Sequence, residues 1–286
     1  MHRFELLEPR SMDEAVELLA ADPEARPIAG GTAMLIMLKQ GVFRPERLLN
    51  LAKIRDAAPI EVDDEGAVRI GALASMRQVE HDAVVRERFP SLAHACHVVA
   101  NVRIRNLATI GGNLSHADHQ SDPPAMLVLL GARVAIRSAR GTHEEPLSSF
   151  LVSSYQTTLE PDELVTGVVV PPLPEGYRTR YVKFTTRSSE DRPCAGIAVA
   201  MDVRKGRCAG LRVVVGAVSP RPFLATEAAD LAIGEPMTAA LAEAIGARIA
   251  GSLDPVGDVR GSVDYKRHLV RVLVRRTLVE VAGAAA

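Results

Sequence analysis

The sequence predicts an α+β protein in which strand, glycine turn and helix succeed one another in the first part and a run of strands precedes a run of helices in the second. Three observations carry this. An apolar, strand-like segment breaks at Gly30-Gly31-Thr32 and gives way to a helix-like run. The densest breaker cluster, Pro171-Pro172-Leu173-Pro174-Glu175-Gly176, separates two regions of different pattern. Beyond it, strand-like runs come first and helical stretches follow, the order of an α+β module.

In chain order, Ser11-Met12-Asp13-Glu14 predicts a capping box: Ser11 accepts from the Glu14 backbone while the Glu14 carboxylate reaches back. Ala15, Val16, Leu18 and Leu19 form the buried stripe of that helix. A short strand over 26–29 meets the first glycine pair, and residues 33–40 read as the next helix. Residues 67–73 alternate as a half-buried strand, and Ser75-Met76-Arg77-Gln78 offers a second capping box. Asp122-Pro123-Pro124 opens a helix with 125–130 as its body and Gly131 as its stop. Strand alternation resumes over 133–137 through Val134 and Ile136. After the breaker cluster come strands over 181–187, 197–204 and 211–218, then helices over 225–233, 239–253 and 263–282. The alanine-rich tail, 282–286, is expected to fray.

A chain of 286 residues fits two or three compact units. With 47% apolar and 24% charged residues, a soluble protein with a packed core is expected. The 34 basic residues nearly cancel the 35 acidic ones, so no positive field exists to hold a nucleic-acid backbone. Tryptophan is absent and aromatics are 3%, which removes the stacking platforms of single-strand binders. No apolar run reaches the roughly 18–20 residues of a membrane-spanning helix, and residues 1–5 do not lead into a signal-peptide core, so a cytoplasmic location without membrane insertion is expected. Cys96, Cys194 and Cys208 are odd in number and far apart, which argues against a disulfide framework or a thiolate cage and for buried structural thiols.

Two glycine pairs stand where apolar runs give way to new elements: Ala29-Gly30-Gly31-Thr32 and Thr109-Ile110-Gly111-Gly112-Asn113. Paired glycines remove side chains, permit positive φ and let consecutive N–H groups approach a diphosphate as a nest. The Thr32 and Thr109 hydroxyls add uncharged donors. One such pair is compatible with a plain tight turn; two, each flanked by threonine, favour a dinucleotide held between two loops. Neither has the spacing of a nicotinamide fingerprint or the ending of a triphosphatase loop. His116, Asp118, His119 and Asp122 have the chemistry of metal ligands but fit no strong metal motif, so no metal is expected. No nucleophile-and-base arrangement has motif support, so no catalytic residue is assigned.

The stretch Ile104-Arg105-Asn106-Leu107-Ala108-Thr109-Ile110-Gly111-Gly112-Asn113 and its continuation through Ala117 to Ser121-Asp122-Pro123-Pro124 closely resembles a signature of the FAD-binding subunits of molybdenum hydroxylases, IRN-x-G-TIGGN followed by an alanine and SD-x-x-P. That family includes the medium subunit of aerobic carbon monoxide dehydrogenase and the flavin domain of xanthine dehydrogenase. The likeness extends to Pro27-Ile28-Ala29-Gly30-Gly31-Thr32, Gly71-Ala72-Leu73, Asp162-Glu163-Leu164-Val165, Lys183-Phe184 and 265–273, nearly the whole chain. Arg103 stands where many relatives have glutamine, and Ala108 replaces a usual glycine.

The resemblance implies a two-lobed FAD-binding fold of the PCMH type, with lobes at 1–54 and 55–174. A C-terminal domain of the CO dehydrogenase flavoprotein type, three strands and a helical bundle, follows at 175–286. It implies that Ile28, Ala29, Gly30, Gly31, Thr32, Ala33 and Met34, together with Thr109, Ile110, Gly111, Gly112 and Asn113, hold the diphosphate of a non-covalent FAD. It implies that Asp122 bonds ribityl or ribose hydroxyls, and that Leu164 and Lys183 lie near the isoalloxazine or adenine. Lys183 is otherwise a solvated strand lysine; Arg103 and Arg105 are phosphate or partner contacts, or surface charges. A polar loop at the flavin edge is preferred for His116 over covalent flavin attachment.

The activity implied is that of an oxidoreductase flavoprotein subunit. It takes electrons from [2Fe-2S] clusters of a small partner subunit, receives no substrate itself, and passes electrons from FAD to an external acceptor. Molybdopterin sits on a large partner subunit, and the assembly is a dimer of heterotrimers. The rival expectation is a self-contained flavin oxidoreductase acting directly on a small organic substrate.

Overall fold

The computed structural model describes residues 2–54 and 57–283. The lobe junction expected at 54/55 runs into residues outside that set, as does the end of the alanine tail, 284–286. The chain divides into two compact units. One comprises Met1–Val84, Asn101–Asp118 and Ala132–Pro171, and the other Val85–Ala100, His119–Gly131 and Pro172–Ala286. Among the described residues no helix is long and apolar enough to cross a membrane.

The first unit holds two main sheets. A parallel sheet places Arg47–Asn50 between Glu5–Leu7 and Arg26–Ile28, with Leu6 opposite Leu48 and Pro27 opposite Leu49. The helix Met12–Ala21 buries Ala15, Val16 and Leu19 in a cluster with Leu49, Leu51 and Ile54, the stripe its sequence period predicts. Its cap differs by one residue from the expected box. Ser11 Oγ accepts the Glu14 N–H at 3.1 Å, but the Glu14 carboxylate accepts from Arg10 N–H at 2.7 Å. The second sheet is antiparallel, ordered Ile60–Val62, Val68–Gly71, Leu164–Val170, Arg133–Ser138, Gly141–Pro146. Between its second and third strands in sequence lies the helix Met76–His81, where the capping box is complete: Ser75 N–H donates to Gln78 Oε1 at 2.8 Å and Gln78 N–H to Ser75 Oγ at 3.1 Å.

The second unit is built on an antiparallel sheet of Tyr177–Phe184, Ala195–Arg204, Arg207–Gly216 and Phe223–Leu224. The first strand starts four residues before the expected one because Arg178 and Arg180 occupy its exposed positions and hide the apolar alternation. The fourth, of two residues, is too short to leave a period. Ile197, Val199 and Met201 face Ile245, Ile249, Leu269, Val270 and Leu273 of the helices Ala239–Ser252 and Val263–Ala282 in one apolar cluster. The helix Pro123–Leu129, buried at every residue, packs on the strands Ala195–Arg204 and Arg207–Gly216. It and Pro90–His97 thus belong with the C-terminal elements, although the Pro171–Gly176 cluster lies between them in sequence.

Candidate functional site

A cavity of about 460 Å³ opens in the first unit, inside the ~300–1,000 Å³ range of ligand sites. Its wall is made of residues 25–34 with Met37 and Leu51, of Ala72 and Leu73, of Ala108, Thr109, 111–113, Ser115 and His116, and of 159–161 and 163–165. Ile28, Ala29, Gly30, Gly31, Thr32, Ala33, Met34, Thr109, Gly111, Gly112, Asn113 and Leu164 are therefore brought to one concave surface.

The first glycine loop follows the strand Arg26–Ile28 and precedes the helix Met34–Gln40. Gly31 sits at φ +67°, where an L side chain is strained, and this turns the chain so that Leu35 N–H bonds back to Gly31 O at 2.9 Å. The four consecutive N–H groups of Gly31, Thr32, Ala33 and Met34 have no acceptor among the described residues. A run of main-chain donors in a turn is an anion-binding concavity. Gly30 is glycine for another reason: a Cβ there would overlap the Leu107 carbonyl oxygen and crowd Ala108 N at 3.1 Å. The first glycine loop therefore packs against the backbone that leads into the second glycine pair.

The second glycine pair is not a turn. Gly111 and Gly112 lie in the first turn of the helix Ile110–His116, neither with positive φ, and Thr109 is its N-cap. Its amides are already engaged: Ile110 N–H with Ala74 O at 2.9 Å, Gly111 N–H with Ala72 O at 2.9 Å, Gly112 N–H with Thr109 Oγ1 at 3.1 Å and Asn113 N–H with Thr109 O at 2.9 Å. The expected nest of free amides is thus present at the first loop and absent at the second, where carbonyls and the Thr109 hydroxyl took the donors. Glycine is required at 111 by packing, since a Cβ would stand 2.5 Å from Ala72 Cβ and 2.8 Å from its carbonyl oxygen. Ile110 is fully buried and turns its side chain into the core, not to the cavity. The Thr109 hydroxyl keeps its own proton to donate, and Asn113 lies on the cavity wall.

Leu164, 3% exposed, closes the wall at the start of its strand. Beside it are Glu160 and Glu163, which sequence reasoning left unassigned. Glu163 accepts the Glu160 N–H at 3.1 Å and lies 3.5 Å from Arg140. Acidic residues just before the strand, within a segment already matched to the family, were the available signal.

Asp122 and Lys183 form a buried pair with each other. Both belong to the second unit, neither is on the cavity wall, and their side chains are 4% and 6% exposed. Lys183 Nζ meets Asp122 Oδ2 at 3.1 Å and donates to Val98 O at 2.7 Å, while the Tyr181 hydroxyl donates to Asp122 Oδ1 at 2.8 Å. Burial pushes the Asp122 carboxyl up to about 6, against the pull of Lys183 and Tyr181. Burial and the facing carboxylate hold the Tyr181 hydroxyl well above its ordinary value. Lys183 is accordingly a buried partner of Asp122, not a solvated strand lysine. Arg103 is exposed, whereas Arg105 is buried with Glu80, its Nε 3.1 Å from Glu80 Oε2. The His116 ring packs 5.1 Å from that of Tyr155. Among the described residues no three His, Cys, Asp or Glu side chains are grouped to hold a metal ion.

Comparison with known proteins places residues 2–173 in the family model described as the FAD binding domain in molybdopterin dehydrogenase. Residues 180–281 match that of the CO dehydrogenase flavoprotein C-terminal domain. The chain is 31% identical over 279 residues to the glyceraldehyde dehydrogenase medium chain of Sulfolobus acidocaldarius, covering 98% of each. It is 31% identical to the nicotine 6-hydroxylase medium subunit of Paenarthrobacter nicotinovorans, covering 96% of each. Among solved structures, carbon monoxide dehydrogenase from Hydrogenophaga pseudoflava superimposes with a TM-score of 0.94 at 30% identity, covering 99% of both chains.

Proposed function

Because the chain belongs to the FAD-binding medium subunits of the molybdenum hydroxylases, we propose that it relays electrons within a three-component enzyme. It receives them from the [2Fe-2S] clusters of a small partner subunit and delivers them to an external acceptor. Molybdopterin and the organic substrate reside on a large partner subunit, the three form a dimer of heterotrimers, and the assembly works in the cytoplasm. Residues 1–54 and 55–174 are its flavin lobes, and 175–286 its C-terminal domain. No resident metal is assigned to this chain.

One observation carries the reading: four successive main-chain donors, Gly31 to Met34, without acceptors among the described residues, in a segment that lines the cavity. An uncharged row of N–H groups suits a diphosphate, whose oxygens accept without requiring a counter-charge. In our reading Ile28 to Met34 grip that diphosphate, Thr109, Gly111, Gly112 and Asn113 form the opposite wall, and Leu164 excludes water from an apolar ring face. Bound FAD supplies a centre that takes electrons singly and releases them in pairs. The chain's own residues supply binding and orientation; no acid, base or nucleophile on the cavity wall is assigned a step.

Purification with and without the companion subunits tests this. The expected result is a yellow chain that releases FAD on acid precipitation and oxidises no small molecule until both companions are added. Bleaching of the isolated chain by a small organic substrate would instead identify a self-contained flavin oxidoreductase and overturn the proposal.

A further inference from the structure

We propose that the buried pair Glu80–Arg105, though on no cavity wall, is a positioning pair that sets the flavin grip by holding the backbone on which Gly30 rests. This rests on the reading above that Gly31 to Met34 bind the diphosphate.

Glu80 lies on the helix Met76–His81 and Arg105 on the helix Val102–Leu107, both in the first unit. Each helix has six residues, too few to persist by its own hydrogen bonds, so contacts between them must fix where they sit. They are joined twice, at the two ends of Met76–His81 and within the last turn and cap of Val102–Leu107. At one end Met76 N–H donates to Ala108 O at 2.8 Å, Ser75 pairs with Thr109, and Ile110 N–H donates to Ala74 O. At the other, Arg105 Nε meets Glu80 Oε2 at 3.1 Å with the two side chains 10% and 8% exposed. Arg77, at 3.5 Å, and the His81 ring, at 3.2 Å, approach the second carboxylate oxygen of Glu80, so both oxygens of the carboxylate are engaged.

The last residue of the Arg105 helix, two positions on, is what matters to the site. The Leu107 carbonyl is the atom nearest to where a Gly30 side chain would be, and Ala108 N is close behind. Gly30 therefore leans on the end of this helix, and the free amides begin one residue later. Rotation of the helix about its Ala108 end, which the ion pair prevents, moves the Leu107 carbonyl and with it the support of the loop. By sequence alone Arg105 was a phosphate or partner contact, or a surface charge; it is buried against Glu80, not an exposed surface charge. The grip is thus controlled by a pair that never touches the cofactor.

The test is FAD affinity of the full chain, measured by flavin fluorescence titration, for Arg105→Lys, Glu80→Gln, the exchange Glu80→Arg with Arg105→Glu, Gly30→Ala, and Gly30→Ala combined with Arg105→Lys. Far-UV circular dichroism selects the variants that fold. We expect Arg105→Lys and Glu80→Gln each to weaken FAD binding about tenfold and the exchange to recover most of that loss. We expect Arg105→Lys to add less than threefold on top of Gly30→Ala, because both act through one contact. Folded Arg105→Lys and Glu80→Gln variants that bind within twofold of wild type overturn the inference, and so does full additivity with Gly30→Ala. Arg105→Lys keeps the charge and is the variant best placed to fold if Glu80→Gln does not. Thr32→Pro removes one loop amide; if it leaves affinity unchanged, the underlying site assignment fails, whatever Glu80 and Arg105 do.

Discussion

Lys183 Nζ lies 3.1 Å from Asp122 Oδ2, and the two groups share a site almost closed to water. A salt bridge this deep trades solvation for a fixed geometry, and a carboxyl with a neutralising neighbour still titrates late because burial outweighs the neighbour. Folded Asp122 keeps its proton up to about pH 6, whereas an unfolded aspartate releases it near 3.8.

Between those values the folded state binds more protons than the unfolded one, so the Asp122 contribution to stability falls as pH rises from about 4 to about 6 and is level on either side. Two pKa units correspond to about 3 kcal/mol. Urea denaturation of wild type and Asp122→Asn should show the wild-type advantage shrinking by roughly that amount from the acid to the neutral end. An advantage independent of pH would contradict the assignment.

Gly111 and Gly112 should respond unequally to alanine. At 111 the new Cβ meets Ala72 side chain and backbone, so two segments must part, at about 1–3 kcal/mol. At 112 it meets the Thr109 hydroxyl, at 2.8 Å, and Ala29 Cβ, at 4.0 Å, on the exposed side of the helix. Gly111→Ala is expected to lower Tm clearly and Gly112→Ala to lower it little; equal shifts would argue against the packing described.

Thr109→Val keeps the volume and removes the cap of Ile110–His116, leaving the Gly112 N–H without its acceptor. A loss of about 1 kcal/mol is expected in chemical denaturation, with Thr109→Ser close to wild type. A valine variant as stable as the parent would show that the cap contributes nothing.

Lys266 is wholly buried, with Nζ 2.8 Å from Val256 O and 3.1 Å from Asp258 Oδ2. Burial raises the Asp258 carboxyl, but the Arg260 N–H, Lys266 and Gln120 together hold it below its ordinary value. Its stabilising share is present above about pH 4 and is lost as pH falls through the lower folded value. Lys266→Met is expected to cost about 3 kcal/mol at pH 7, the low end for a broken buried pair, because Asp258 keeps its other donors. Calorimetry showing no loss of Tm would sink this.

The elements legible in the sequence were those with a period or a cap. Ser75-Met76-Arg77-Gln78 was readable as a reciprocal box because both arms lie within four residues. The helix Val263–Ala282 was readable from its apolar stripe over twenty residues. The strand Tyr177–Phe184 was cut short because its arginines face outward. At the site, the glycine pairs announced close backbone approach without saying to what. Gly30 meets the Leu107 carbonyl and Gly111 meets Ala72, contacts separated by tens of residues in the chain. The Asp122–Lys183 and Glu80–Arg105 pairs were invisible for the same reason, since each joins elements that no local pattern relates.

The donors of Gly31 to Met34 belong to the main chain, so they persist whatever side chains stand at 32, 33 and 34. As far as these amides are concerned, only proline at 32, 33 or 34, which has no N–H, deletes a contact outright. Selection acts instead on the neighbours that fix the curve of the loop.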